Sequence, residues 1–359
     1  MSQSLRLTLL VMCLPAVLLS VMLSVLTVFA VFIGQQRSDR PLLFIDQTLH
    51  FTLHDFQHRH RLTLEHNLES MPLDFRWSPD GRGFVLYTIE ADGYRFYHYD
   101  LLKRHLIALD IESTQPALPS WSADSQRLVY GSDTGGLCIL TLAGMQTECL
   151  HPPPVRFAAW SPDGRRIAYF AGIPTQLYVM DVAAGEAAVL AEGPETLNHA
   201  PLLWSPDSRS LIFQRRSSLR DPANDLYLIA FDASGSGVEI IAAPRNLSSD
   251  VTDDSGFTFA QNWSPDSQQF IYTTFSPAAV ATGQRTIYDL YLYSIRDGTT
   301  RRITHDAAEE MSPAWSPDGR WLAYISSLNG RPTLIVRSEP DGVLLHTEPL
   351  YAYSLDWRP

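Results

Sequence analysis

Trp160-Ser161-Pro162-Asp163-Gly164, followed by the apolar run Arg166-Ile167-Ala168-Tyr169-Phe170, is one copy of a phrase that recurs along the chain. The other copies are Trp77-Ser-Pro-Asp-Gly81, Trp121-Ser-Ala-Asp-Ser125, Trp204-Ser-Pro-Asp-Ser208, Trp263-Ser-Pro-Asp-Ser267, Trp315-Ser-Pro-Asp-Gly319 and a clipped Trp357-Arg-Pro359. Within the phrase, Pro supplies the fixed φ of the second position of a type I turn, Gly suits the fourth, and Asp can bond back to the backbone. Asp80, Asp124, Asp163, Asp207, Asp266 and Asp318 are therefore assigned a structural role. After each turn come short runs rich in Val, Ile, Tyr and Phe, bounded by Gly, Pro, Asp and Ser, which read as strands joined by hairpins.

The Trp-to-Trp spacings are 44, 39, 44, 59, 52 and 42 residues. Four short strands fit each interval, and a period in this range is that of a four-stranded propeller blade. A Trp at the end of each inner strand buries a large ring between neighbouring sheets, so Trp77, Trp121, Trp160, Trp204, Trp263, Trp315 and Trp357 are read as structural. The stretches Pro41–Ile45, Phe51–Asp55 and Arg61–Leu64 match the second, third and fourth strands of a blade that lacks its inner strand. Tyr351–Trp357 is an inner strand lacking the other three. Joined, they predict a seventh blade that closes the ring and removes its free edges. The expected fold is an all-β, seven-bladed β-propeller over residues 37–359, closed by pairing of N- and C-terminal strands.

The phrases resemble the Trp-Ser-Pro-Asp-Gly repeats of TolB-type propellers, which also occur in the propeller domains of prolyl oligopeptidase-like peptidases. The resemblance covers about residues 40–359. It implies a β-propeller and, for TolB-type proteins, an extracytoplasmic interaction scaffold; it implies no catalytic residue. The aspartate box of sialidases fits less well, because it places a residue between Asp and Gly, which are adjacent here in Asp80-Gly81, Asp163-Gly164 and Asp318-Gly319.

Residues 1–36 read differently. Leu7 to Ile33 is an apolar run relieved only by Thr, Ser, Cys and Pro, and as a helix it would be about 40 Å long, enough to span a bilayer with tilt. We expect one N-terminal transmembrane helix, with removal after Val28-Phe29-Ala30 as the other reading. Charges flanking the run are too even to orient it. Cys138 and Cys149 bear on the compartment. Folding the chain about Ala143-Gly144 sets them opposite each other on neighbouring strands, which leaves either a disulfide or two free thiols. A disulfide would place the propeller in an oxidising space, periplasmic or at the cell surface.

The net charge of -12 argues against a nucleic-acid partner, since a phosphate-binding face needs a basic patch. No Gly-x-Ser-x-Gly elbow, P-loop or dinucleotide fingerprint is present. No catalytic residue, metal site or cofactor is expected, and enzymatic activity is the lesser reading. His50, His54 and His58 fall four apart, but on a strand that spacing is about 13 Å and cannot serve one ion. Asp250, Asp253 and Asp254 read as a solvated acidic loop. The three long insertions, at 215–225, 248–257 and 276–289, join the second strand to the third or one blade to the next, so they share one end of the propeller. Such per-repeat insertions mark a binding face. Arg215, Arg216, Arg220, Asp225, Asp253 and Asp254 are the candidate contacts for an unidentified protein or peptide partner. The alternative is a small-ligand-binding or hydrolytic propeller that uses the central channel, with a bound cation.

Overall fold

The computed structural model describes residues 41–359 except 46–49, 57–59, 92, 112–116, 133, 152–153, 173–174, 192–200, 217–223, 232–239, 247–258, 276–287, 306–307, 328–330, 340–341 and 350–353. Residues Pro41–Pro359 form one compact unit. The expected helix over Leu7–Ile33 lies outside the described residues. Among the described residues no helix is long and apolar enough to cross a membrane.

Strands β1 (Leu42–Ile45), β2 (Phe51–Asp55) and β3 (His60–Leu64) belong to blade 1. Blade 2 follows with β4 (Pro72–Trp77), β5 (Gly83–Glu90), β6 (Gly93–Asp100) and β7 (His105–Leu109). Blade 3 holds β8 (Ser120–Trp121), β9 (Arg127–Ser132), β10 (Gly136–Thr141) and β11 (Gln146–His151). Blade 4 holds β12 (Val155–Trp160), β13 (Arg166–Ala171), β14 (Gln176–Asp181) and β15 (Glu186–Ala191). In blade 5 are β16 (Leu203–Trp204), β17 (Ser210–Arg216), β18 (Asn224–Phe231) and β19 (Ile240–Asn246). In blade 6 are β20 (Phe259–Trp263), β21 (Gln269–Phe275), β22 (Tyr288–Ser294) and β23 (Thr299–Arg302). Blade 7 holds β24 (Glu310–Trp315), β25 (Trp321–Ser326), β26 (Thr333–Ser338) and β27 (Leu344–Pro349), and β28 (Leu355–Trp357) ends the chain.

Each blade is a four-stranded antiparallel sheet with the Trp-bearing strand innermost, and β28 completes blade 1 in the order β28-β1-β2-β3. The pairing is Leu42 with Trp357, Leu43 with Asp356 and Phe44 with Leu355. The backbone N–H of Arg358 extends it by donating to the Pro41 carbonyl at 3.0 Å. The closure expected from the sequence is therefore present. Blade 1 is also joined to both neighbours by packing: Leu42, Phe44, Phe51 and Trp357 share one apolar cluster with Phe75, Trp77 and Phe84 of blade 2 and with Ala314, Leu334 and Val336 of blade 7.

The repeated turn does what its residues dictate. In each full copy, from Gly81 to Gly319, the fourth residue donates its N–H to the carbonyl of the repeat Ser. That Ser hydroxyl donates to the repeat Asp at 2.5–2.6 Å, as in Ser78 to Asp80 and Ser122 to Asp124. The Asp also accepts the N–H two residues on, as Asp163 does from Arg165 at 3.0 Å. Bonding to Ser122 holds the Asp124 carboxyl below the usual carboxylate range.

The fourth position has a left-handed backbone whichever residue occupies it: φ is 64°, 73° and 71° at Gly81, Gly164 and Gly319, and 58°, 62° and 61° at Ser125, Ser208 and Ser267. Glycine is the low-strain choice there. The serines offset their strain by reaching across the blade boundary, where Ser125, Ser208 and Ser267 accept the N–H of Asp80, Asp163 and Asp207 at 2.9–3.1 Å. The alternation between Gly and Ser thus records which boundaries use a side-chain link.

A second inter-blade bond comes from the tryptophans. The indole N–H of Trp121 donates to the carbonyl of Arg76, that of Trp204 to Ala159, Trp263 to Leu203, Trp357 to Ala314, and Trp77 to Asp356, at 3.1–3.4 Å. Each acceptor immediately precedes the Trp of the preceding blade. The indole N–H groups of Trp160 and Trp315 are buried without a hydrogen-bond partner. Their strands also carry a left-handed residue three positions earlier, Phe157 at φ 48° and Ser312 at φ 50°, within a local shift of register.

Deleting residues 351–359 should lower the melting temperature by about 10 °C or more, because losing the burial of Leu355 and Trp357 alone removes about 5 kcal/mol. An unchanged melting curve would show that ring closure does not support the fold. At the turn, Ser208→Ala should cost about 1 kcal/mol in chemical denaturation through loss of the bond from Asp163. Ser208→Gly should be closer to neutral, because relief of the left-handed strain, about 1 kcal/mol, offsets the same loss.

Candidate functional site

Strand direction divides the propeller into two unlike ends. Each inner strand runs toward its Trp, so the Ser-Pro-Asp-Gly turns and the turns between third and fourth strands lie at one end. The loops between second and third strands, and those between blades, lie at the other. At the turn end the Ser–Asp bonds and short hairpins leave little freedom, except in blade 5, where the eight residues 232–239 join β18 to β19. The insertions between β17 and β18, β19 and β20, and β21 and β22 all open onto the loop end.

Of the six candidate contact residues, three fall on described strands at that end. Backbone register sets Arg215 opposite Asp225 and Arg216 opposite Asn224, at the mouth of the first insertion. Arg220, Asp253 and Asp254 lie outside the described residues, as do Asp250 and His58.

The described residues beside the insertions form a braced base. Asp289, fully buried one residue into β22, is held by Arg302 at 2.7 Å. Thr304 accepts the N–H of Leu290 at 2.9 Å and donates to Asp289 at 3.4 Å. On the next blade the buried Glu310 accepts from Ser326 at 3.1 Å, and the N–H of Glu309 donates to Ser327 at 3.1 Å. Burial and the neighbouring Glu309 raise the Tyr288 hydroxyl above its ordinary range. A charge pair desolvated to this degree is costly to break, so the root of the third insertion is fixed even though the loop beyond it is long.

A second polar group was not anticipated from the sequence. Asp74 and Arg76 on β4, with Ser354 and Asp356 at β28, meet between two consecutive inner strands. Ser354 donates to Asp74 at 2.6 Å, and Asp74 also accepts the N–H of Phe75 at 2.8 Å. Asp356 accepts the N–H of Trp357 at 2.9 Å. Burial raises the Asp74 carboxyl, against the opposing pull of Ser354 and Arg76. Burial pushes Asp356 up to about 7, with Arg76 opposing and Asp74 reinforcing. The signal was in the repeat: the residue before the Trp is Ser120, Ala159, Leu203, Asn262 or Ala314 in five blades, and charged only as Arg76 and Asp356.

Among the described residues no group of three or more His, Cys, Asp or Glu side chains is arranged to hold a metal ion. His54 lies on β2, its ring 5.3 Å from that of His346 and 4.2 Å from that of Phe56, an aromatic packing arrangement. Cys138 and Cys149 are bonded as a disulfide between β10 and β11, in the register that folding about Ala143-Gly144 requires.

No protein-family model matches the chain. Dipeptidyl-peptidase 5 from Porphyromonas gingivalis is 26% identical over 240 residues, covering 56% of this chain and 35% of the relative. The chain spans 21% to 35% of the length of the curated relatives it matches. Among solved structures, TolB from Acinetobacter baumannii aligns with 90% of this chain and 81% of its own at 17% identity and a TM-score of 0.49. An oligogalacturonate lyase from Vibrio parahaemolyticus aligns with 88% of this chain and 87% of its own, at 13% identity and a TM-score of 0.58. At such identities the last likeness establishes what the strand order already shows, a β-propeller.

Proposed function

We propose that this protein is a membrane-tethered, extracytoplasmic propeller that binds a protein or peptide partner through its loop end. The carrying observation is positional. Three insertions open on one end of a ring whose other end is pinned by repeated Ser–Asp turns, and the third rises from the Asp289–Arg302 base. The β17–β18 register brings Arg215 and Asp225 to opposite backbone positions at the mouth of the first insertion, and Arg and Asp are residue types suited to a polar partner.

The tether is the apolar run Leu7–Ile33, and the Cys138–Cys149 disulfide supports an oxidising surrounding. Pro41 enters the propeller at the turn end, because Leu42 pairs with Trp357. A second reading, a small ligand taken up in the central channel, is favoured by the polar group of Asp74, Arg76 and Asp356 on the inner strands.

Replacing residues 216–223 with a short Gly-Ser link should preserve the melting temperature and abolish partner capture, as read by crosslinking in native membranes. Altering the turn-end residues Arg82 and Arg320 should leave capture intact; the reverse pattern would assign recognition to the wrong end. For the tether, protease added to intact cells or spheroplasts should digest the propeller, and Cys138 and Cys149 should resist alkylation until reduced. A propeller protected until lysis, with both thiols free, would contradict the location.

A further inference from the structure

The turn end carries most of the exposed apolar surface. Among the described residues, five of the eight large apolar side chains left exposed lie there: Leu102 at 59%, Met145 at 40%, Val343 at 63%, and Leu344 and Leu345 at 59% and 47%. Each sits in or just after the turn from the third strand of its blade to the fourth, in blades 2, 3 and 7. Blade 1 lies between blades 7 and 2, and Phe56, which follows its third strand, is half-buried. Apolar residues therefore line this rim along four consecutive blades. The equivalent turns of blades 4 and 6 differ, with Ala183, Ala184 and Gly185 in one and Arg296, Asp297 and Gly298 in the other. Apolar residues scattered singly over a surface need no explanation, but these share one side of one end.

The turns that carry them are fixed. Asp100 accepts the N–H of Leu102 and of Lys103, both at 3.0 Å. In blade 7 the N–H of Val343 donates to the Ser338 hydroxyl at 3.1 Å, and its carbonyl accepts the N–H of Ser338 at 2.9 Å. Charges at the same end are paired within single turns: Arg82 with Asp80 at 3.9 Å, Lys103 with Asp100 at 3.1 Å, and Arg320 with Asp318 at 3.6 Å. The rim thus offers apolar tips beside charges of both signs.

We propose that this rim rests on a lipid bilayer, with Leu102, Met145, Val343 and Leu344 inserted at the boundary between headgroups and acyl chains. Such a boundary takes apolar side chains on one side and charged ones on the other. Lys103 and Arg104 directly follow Leu102, and their apolar stems can enter with it while the charges stay among the headgroups. The chain itself argues for lipid as the occupant. Pro41 enters the propeller at this same end, in blade 1, and in the sequence only residues 34–40 separate it from the apolar run Leu7–Ile33. The inference rests on the membrane-tethered reading and adds which end of the propeller meets the lipid. A bilayer at the turn end leaves the three insertions open to a partner.

The test is photocrosslinking of the full-length chain in phosphatidylcholine vesicles that contain a phospholipid with a photoreactive acyl chain, with adducts mapped by mass spectrometry. Lipid adducts should appear at residues 101–104, 142–145 and 343–345 and exceed those at 182–185 and 295–298. The combined variant Leu102→Ser, Val343→Ser and Leu344→Ser should keep the wild-type melting temperature. Its adducts at Met145 should fall at least about tenfold, the factor that withdrawing one Leu side chain from water is worth. Adducts within 7–33 but none above background on the rim would overturn this proposal and leave the tether standing. Adducts on neither would overturn both, and adducts on the rim alone would support docking while removing the tether. Lys103 is the chain's one lysine, so an amine crosslinker that joins Lys103 of two copies, with no lipid adducts on the rim, would assign the surface to a dimer and overturn the proposal.

Discussion

The antiparallel pairing of Leu355–Trp357 with Leu42–Phe44 is the constraint on which the ring depends. A propeller whose last strand did not return would present the inner edge of β1 and the flank of β24 unpaired, and an open strand edge in a twisted sheet is both a loss of ladder bonds and a template for aggregation. Closure also carries the hydrophobic core around the ring. Phe44, Phe51 and Trp357 pack with blades 2 and 7 at once, so blade 1 has an apolar neighbour on each side. Removing the pairing would cost both ladder bonds and burial.

From that closure the rest follows by repetition. Each blade meets the next through a Trp whose indole is buried between sheets, and five of these indoles donate to the carbonyl beside the preceding Trp. The Ser-Pro-Asp turns add a belt of bonds at one end, local within each turn and inter-blade where Ser replaces Gly. An end tied down in this way has little latitude for change. The other end, built from connections with no such requirement, is where chain can be inserted without disturbing the sheets, and the two longest connections, 247–258 and 276–287, are found there, although the turn end carries the eight-residue connection 232–239.

Much of this was legible in the sequence because it is set locally. Pro at the second turn position, Gly or Ser at the fourth and Asp between them dictate the hairpin, and a Trp at each period marks the inner strand. Even the split blade could be read, since Phe51–Asp55 lacked an inner partner and Leu355–Trp357 lacked outer ones. The disulfide was half legible: symmetry about the β10–β11 turn sets Cys138 opposite Cys149, but a slip of one residue in register would part them. Of the candidate contacts, Arg215 and Asp225 are brought into register by the β17–β18 ladder, whereas the insertions that hold Arg220, Asp253 and Asp254 have no repeat pattern from which a position could be read.

The sequence by itself determined the number of blades, the turns that shape them and the strand that shuts the ring, because hairpin geometry and a 39–59-residue period act within one repeat. Only the tertiary structure decided which repeats touch through which side chains. Ser354 and Asp74 are 280 residues apart and meet because closing the circle makes the last inner strand the neighbour of the first complete one. The same rotation from blade to blade brings Ser208 to Asp163 and gathers two carboxyls and Arg76 at a single half-buried seam. Contacts of that kind depend on the angle between sheets, a property of the packed ring that no single repeat contains.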